Sequence, residues 1–299
     1  MKRFILLSLL TGAGSLSLLA AQPAAQPSGP KVVDILKLKD NLYVLTSSSP
    51  TPRETFSGGN VAVFITDGGV TLVDDKLAGW GQAVLDKVKL VTGKPITRII
   101  NTHTHGDHTG NNNFFGANVE IVAQENTKSN MEKMDAFKGE NAKFLPARTY
   151  KDKLTLGSGK DRIDLYYFGN GHTSGDTFVV FPALRVLHTG DMFAWKDAPF
   201  CDRSNGGSCV DFPSTLQKML GGIKDIDTVI PGHSPMMTVK DVEGYQKFTA
   251  DLLSYSIDRM KAGKSVDEAF DGFKVDKYPG YKNERVKAAI QAVYDELKK

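Results

Sequence analysis

Cysteine is scarce in this chain: there are two in 299 residues, Cys201 and Cys209, and none among the first 200. That excludes a lipid-modified cysteine near the N-terminus. An excess of one charge is also missing. Lysine and arginine number 37 against 34 acids, for a net charge of +3, and no basic cluster stands out. A nucleic-acid partner is therefore not expected. No G-x-S-x-G elbow is present, so there is no sign of a serine nucleophile of that kind. Repeats of solenoid length are absent. Long apolar runs are confined to residues 4–19, and Thr11, Gly12, Gly14, Ser15 and Ser17 interrupt that run. It falls short of the roughly 20 apolar residues a membrane span needs.

The same run has a better reading. Lys2 and Arg3 precede it and small residues follow, which is the order of a secretory signal peptide. The expectation is a signal peptide over 1–21, a flexible Pro/Gly/Ser leader over 22–36, and one folded domain with C-terminal helices over 37–299. Such a protein is periplasmic or secreted, with no stable membrane anchor once the leader is cleaved. Loss of Lys2 and Arg3 brings it closer still to neutral. In an exported protein, two cysteines eight positions apart are most simply a disulfide. A metal-ligand role for one of them is the alternative. Nothing in the sequence sets an oligomeric state.

Strand-like stretches come in two batches. The first includes VAVFI at 61–65 and VTLV at 70–73, around the hairpin turn Asp67-Gly68-Gly69, and then ITRII at 96–100. The second includes IDLYYF at 163–168, TFVVF at 177–181, a strand over 184–187 and TVI at 228–230. Apolar spacing predicts a helix over 79–91; residues 125–140 read as helical and polar, and 213–220 as a short helix after a Pro start. Beyond 240, Tyr245, Phe248, Leu252 and Tyr255 share one helical face, and Val286, Ile290 and Val293 another. Two such batches suit two halves of one sandwich.

What the chain does have is a concentration of histidine. Of six in total, three fall in THTHGDH, as His103, His105 and His108, with Asp107 among them. Imidazole nitrogen and carboxylate oxygen are good zinc ligands. Alternate residues of an extended segment point the same way, so His103 and His105 can address one metal with Thr104 turned aside. Asp107 and His108 follow Gly106, where the chain can bend toward a second. Three other strand ends present His172 (in GHTSGD), Asp191 (in HTGD) and His233 (in PGH). His188 remains, read more simply as a packed, hydrogen-bonded strand residue than as a support for a ligand.

The motifs THTHGDH, GHTSGD, HTGD and PGH, in this order, resemble the metallo-β-lactamase superfamily of metallohydrolases. The resemblance implies a four-layer αββα sandwich of the α/β (α+β) class, with the site at one edge between the sheets. By motif match, His103, His105 and His172 would hold a first zinc ion. Asp107, His108 and His233 would hold a second, and Asp191 would bridge them. Iron or manganese are the alternatives to zinc. The implied chemistry is hydrolysis of a carbonyl-centred bond of a small-molecule substrate (lactam, lactone, ester or thioester) by hydroxide held on metal. Asp107 would orient the nucleophile, and Asp107 and Asp191 are the catalytic candidates. The best-known β-lactamase subclass has a cysteine ligand where Asp191 stands, so this set looks more like the glyoxalase II and lactonase branches. The alternatives are a β-lactamase proper and an iron-dependent, persulfide dioxygenase-like oxidoreductase. Candidates to line the cleft are Phe56, Phe193, Trp195 and residues 130–150. The loop 201–209 either borders that cleft or is a remote surface loop.

Overall fold

Residues 61–64 show how the layers arise. Val61 and Val63 belong to one apolar cluster, and Ala62 and Phe64 to another. Successive side chains on a strand point to opposite faces, so this strand is buried on both sides. Residues 178–181 repeat the pattern. Phe178 and Val180 enter a third cluster, while Val179 and Phe181 meet Ala62 and Phe64 in the central one.

The computed structural model describes residues 33–46, 55–116 and 118–298. The first sheet has seven strands in sequential order. They are β1 (Ile35–Lys39), β2 (Leu42–Leu45), β3 (Val61–Thr66), β4 (Gly69–Val73), β5 (Ile96–Ile100), β6 (Glu120–Gln124) and β7 (Arg148–Tyr150). β1 to β4 pair antiparallel and β4 to β7 parallel. The second sheet has the order β12-β11-β10-β9-β8. Its strands are β8 (Lys153–Leu156), β9 (Ile163–Tyr166), β10 (Phe178–Phe181), β11 (Val186–Gly190) and β12 (Thr228–Pro231), with only β11 and β12 parallel.

The central cluster lies between the sheets; within it Phe64 packs on Phe181 with ring centroids 5.0 Å apart. Each such fully buried side chain contributes about 1.5–3 kcal/mol. On the outer face of the first sheet, Val84 and Val88 of helix α1 (Gly81–Lys89) cover Val61, Val63 and Leu72. Two one-turn helices, α2 (Gly106–Thr109) and α3 (Asn112–Phe115), follow β5, and α4 (Glu125–Met131) follows β6. The outer face of the second sheet is covered by α5 (Phe212–Gly222), α6 (Val239–Lys261), α7 (Val266–Gly272) and α8 (Val286–Leu297). The result is the expected αββα layering.

Three details differ from the sequence reading. The helix expected over 125–140 ends at Met131, and 3-10 turns follow at Asp135–Phe137 and Gly139–Phe144. Gly139, at φ +59°, takes a left-handed turn that an α-helix does not tolerate. Strand β1 opens at Ile35, inside the span read as leader, and Val33 is already buried. The signal peptide expected over 1–21 lies outside the described residues. Among the described residues, no helix is long and apolar enough to cross a membrane.

Candidate metal centre

Four strand ends on the same edge of the sandwich deliver the site. After β5 the chain places His103 and His105, and the turn α2 carries Asp107 and His108. The loop after β9 carries His172, Asp191 directly follows β11, and His233 lies two residues beyond β12. All seven residues proposed from sequence meet there. They form three overlapping groups able to hold a metal ion: His103, His105 and His172; His103, His108 and Asp191; and Asp107, His108 and His233. Within each group the ligand atoms lie within 4.8 Å of one another.

The outer hydrogen bonds fix which ring nitrogen faces inward. His105 Nε2 lies 2.8 Å from Asp202 Oδ2, and His108 Nδ1 lies 2.7 Å from Asp74 Oδ2. His172 Nδ1 donates to the Phe200 carbonyl at 2.7 Å. The Thr102 hydroxyl donates to Asp74 Oδ2 at 2.8 Å, so at 3.0 Å it accepts from His103 Nδ1. These four outer nitrogens therefore carry protons, which leaves the other nitrogen of each ring facing the same space. His103 Nε2 is buried there with no hydrogen-bond partner among the described residues. His105 Nδ1 and His172 Nε2 approach to 2.9 Å, and His108 Nε2 and His233 Nε2 to 3.3 Å. Facing lone pairs at these separations need a proton or a cation between them.

The carboxylates make the same demand. Asp191 Oδ2 lies 3.7 Å from His172 Nε2 and 3.3 Å from His233 Nε2, while Oδ1 lies 3.4 Å from His108 Nε2. One buried carboxylate thus touches both sets of rings. Asp107 Oδ2 is 3.3 Å from His233 and 3.5 Å from His108. Burial works to raise the Asp107 carboxyl, but His108 and His233 overcome it and hold it at about 2. Asp191 is driven well below the carboxylate range in the same way. Burial pulls His108 and His233 down, and the surrounding acids more than reverse it, so both are raised. At His103 and His172 burial and the neighbouring rings outweigh the pull of Asp191. His103 falls well below its usual value and His172 to about 4. Positive charge belongs beside Asp107 and Asp191, and divalent cations fit the donor set as well as protons do.

The supports are residues the sequence did not reveal. Buried Asp74 accepts from the Thr102 amide, the Thr102 hydroxyl and His108. The Asn60 amide group donates to the carbonyls of Pro231 and Ser234, both at 2.8 Å, and so fastens the His233 loop to the first sheet. Asp202 sits in the loop closed by the Cys201–Cys209 disulfide, which removes both cysteines as metal ligands. That loop borders the site: besides holding His105, it takes the His172 carbonyl through the Asp202 amide at 2.8 Å. Glycine is required where backbone and ligand meet. A side chain at Gly59 would strike the His108 ring, and one at Gly232 the Asp191 carboxylate.

The rim is aromatic. Phe56 and Trp195 pack against His233 with ring centroids 5.6 and 5.2 Å away. Phe200, half exposed and not anticipated, stands 5.7 Å from His172 and 6.1 Å from His105. Phe193 corrects an expectation. It is fully buried and stacks on Tyr245 at 4.7 Å, because it points into the helical layer. Of residues 130–150, Met134 approaches through its sulfur, which accepts from Thr104 Oγ1. His188 is the packed residue it was read as: Nε2 donates to the Asn60 carbonyl and Nδ1 accepts from the Gly190 amide.

Residues 55–234 match the profile of the metallo-beta-lactamase superfamily. The chain belongs to that superfamily. It is an enzyme of the hydrolase class. It is 28% identical over 235 residues to a metallo-beta-lactamase type 2 of Elizabethkingia meningoseptica, covering 77% of this chain and 88% of that one. To metallo-beta-lactamase IND-1 of Chryseobacterium indologenes it is 24% identical, over 66% of this chain and 80% of that one. Among solved structures, DIM-1 metallo-beta-lactamase exposed to ceftazidime superposes with a TM-score of 0.62 at 21% identity, over 74% of this chain and 98% of that one. A metallo-beta-lactamase from Pontibacter korlensis gives 0.61 at 19%, over 73% and 99%. These likenesses of structure establish the fold.

Proposed function

We propose that the protein is an exported dinuclear zinc hydrolase that cleaves a carbonyl-centred bond of a small substrate, with β-lactams the first class to test because its relatives bear that name. His103, His105 and His172 would hold one ion, Asp107, His108 and His233 the other, and Asp191 both. The observation that carries this reading is Asp191, a buried carboxylate in contact with rings of both groups. Two zinc ions side by side would supply an activated water and Lewis acidity toward a carbonyl.

The chain's own residues do the rest. Asp74, Asp202, Thr102 and the Phe200 carbonyl each hold an outer ring proton, so four histidines keep their inward nitrogens free as donors to metal. Asp107 stays ionised, and its carboxylate can accept a hydrogen bond from the attacking water and hold that water in line. Phe56, Trp195 and Phe200 narrow the approach and keep bulk water away from the reacting carbonyl.

The test is hydrolysis of a chromogenic cephalosporin by zinc-loaded protein lacking residues 1–21, with Asp107→Ala as control. Turnover that this variant loses supports the reading. Absence of turnover on cephalosporins, lactones, esters and thioesters, from protein shown to carry metal, contradicts it.

A further inference from the structure

The loop closed by the Cys201–Cys209 disulfide has two faces. One lies on the candidate ligands. Asp202 holds the His105 ring, its amide takes the His172 carbonyl, and the Phe200 carbonyl just before the loop takes the His172 ring proton. The Ser208 amide donates to the Gly171 carbonyl at 2.9 Å, one residue before His172. The fit is tight, for a side chain at Gly207 would strike the His172 carbonyl. A shift of the loop therefore moves both His105 and His172.

The other face lies on α8, where one side chain reaches the loop at three points. Glu296 Oε1 accepts from Ser208 Oγ at 2.5 Å. Its Oε2 accepts from the Cys209 amide at 3.2 Å and pairs with Arg203 Nη1 at 2.8 Å. One carboxylate thus grips the loop near its start and at its end. Ser208 joins the two faces, with its amide on Gly171 and its hydroxyl on Glu296.

The helix itself gives no reason for an acid at this position. Glu296 lies in the last turn of α8, beside carbonyl groups without helical partners, where negative charge is unfavourable. The helix docks through Val286, Ala289, Ile290, Val293 and Tyr294, not through Glu296. The side chain of Glu296 is only 16% exposed, and among the described residues its carboxylate partners all belong to the loop.

We infer that Glu296 is a positioning residue for the metal centre: through the disulfide-closed loop it sets where His105 and His172 stand, without touching either. This rests on the metal-centre reading above and adds a residue outside 55–234, the span that matches the superfamily. The C-terminal helix then belongs to the scaffold of the centre, besides covering the second sheet.

Cobalt affinity, measured against a competing chelator, tests this without any substrate. In a His233→Ala background, which takes a ligand from the Asp107 side, adding Glu296→Ala should weaken cobalt binding about tenfold, the low end for a residue that supports a ligand. Glu296→Gln keeps an acceptor for Ser208 and loses the charge facing Arg203, so it should weaken binding less. It also carries the same comparison if Glu296→Ala does not fold. In a His105→Ala background, which leaves Asp107, His108 and His233 in place, the Glu296 variants should leave the affinity unchanged. Equal losses in both backgrounds would mark Glu296 as a general support of the fold and overturn the inference, as would no loss in either. Wild-type protein that bound no cobalt would overturn the metal-centre reading, and the inference with it.

Discussion

His105 and His108 are three positions apart, and opposite parts of the molecule hold them. His108 is fully buried, as is its partner Asp74, which follows strand β4 in the interior of the first sheet. His105 keeps about a fifth of its side chain exposed, and its partner Asp202 rides on a surface loop closed by a disulfide. That loop is tied to α8 in turn, where Glu296 accepts from Ser208 Oγ at 2.5 Å and pairs with Arg203 at 2.8 Å. One half of the centre is thus anchored in the core, and its supports are inseparable from folding. The other is anchored in a peripheral clamp that can be altered while the sandwich stands. The two halves should fail differently when their supports are removed.

The largest effect should come from Asp74→Ala. It strands three buried donors, from Thr102 and His108. Unfolding by urea should show a loss of about 3–5 kcal/mol, with metal lost first from the Asp107–His108–His233 side and His103, held through Thr102, loosened on the other. Asp202→Ala should behave in the reverse manner. Chelator competition should show affinity at the His103–His105–His172 side falling about 10- to 100-fold, while the urea midpoint barely moves. If both variants lose stability alike, the contrast between core and clamp is wrong. Replacing Cys201 and Cys209 by alanine should act in the same direction as Asp202→Ala but more weakly, about tenfold in affinity. It frees the loop without deleting its contacts.

The smallest effect concerns the core side alone. Lys76 is buried beside Asp74, bonded to the carbonyls of Thr46 and Gly58, and burial lowers it to about 7. Between about pH 7 and its unfolded value near 10.4, the unfolded chain keeps a proton that the folded chain releases. Stability from this group therefore rises with pH across that window. Below pH 7 both states are protonated and the penalty is complete. In metal-free protein, the stability of Lys76→Met relative to wild type should decline as pH is raised from 7 to 9. A difference that stays constant would remove Lys76 from the account.

The core-and-clamp contrast also explains what could be read from sequence. The ligands were legible because THTHGDH is local and its chemistry is rare. The sandwich was legible because strands such as 61–64 and 178–181 alternate between two clusters. The supports were not legible, since each is a contact between distant residues: 34 positions separate His108 from Asp74, 97 separate His105 from Asp202, and 171 separate Asn60 from Pro231. Nothing in VDD or CDRSNG signals that a carboxylate there meets an imidazole. Phe193 and Phe200 show the same limit, for an aromatic residue near a motif faces either the cleft or the core, and only packing decides.

The central claim is that two ions lie side by side with Asp191 between them. It is tested most directly by anomalous diffraction at the zinc edge from crystals grown with zinc. Two peaks are expected about 3.5–4 Å apart, one within reach of His103, His105 and His172, the other of Asp107, His108 and His233, with the Asp191 carboxylate touching both. A single peak, or two that leave Asp191 uncoordinated, would contradict it.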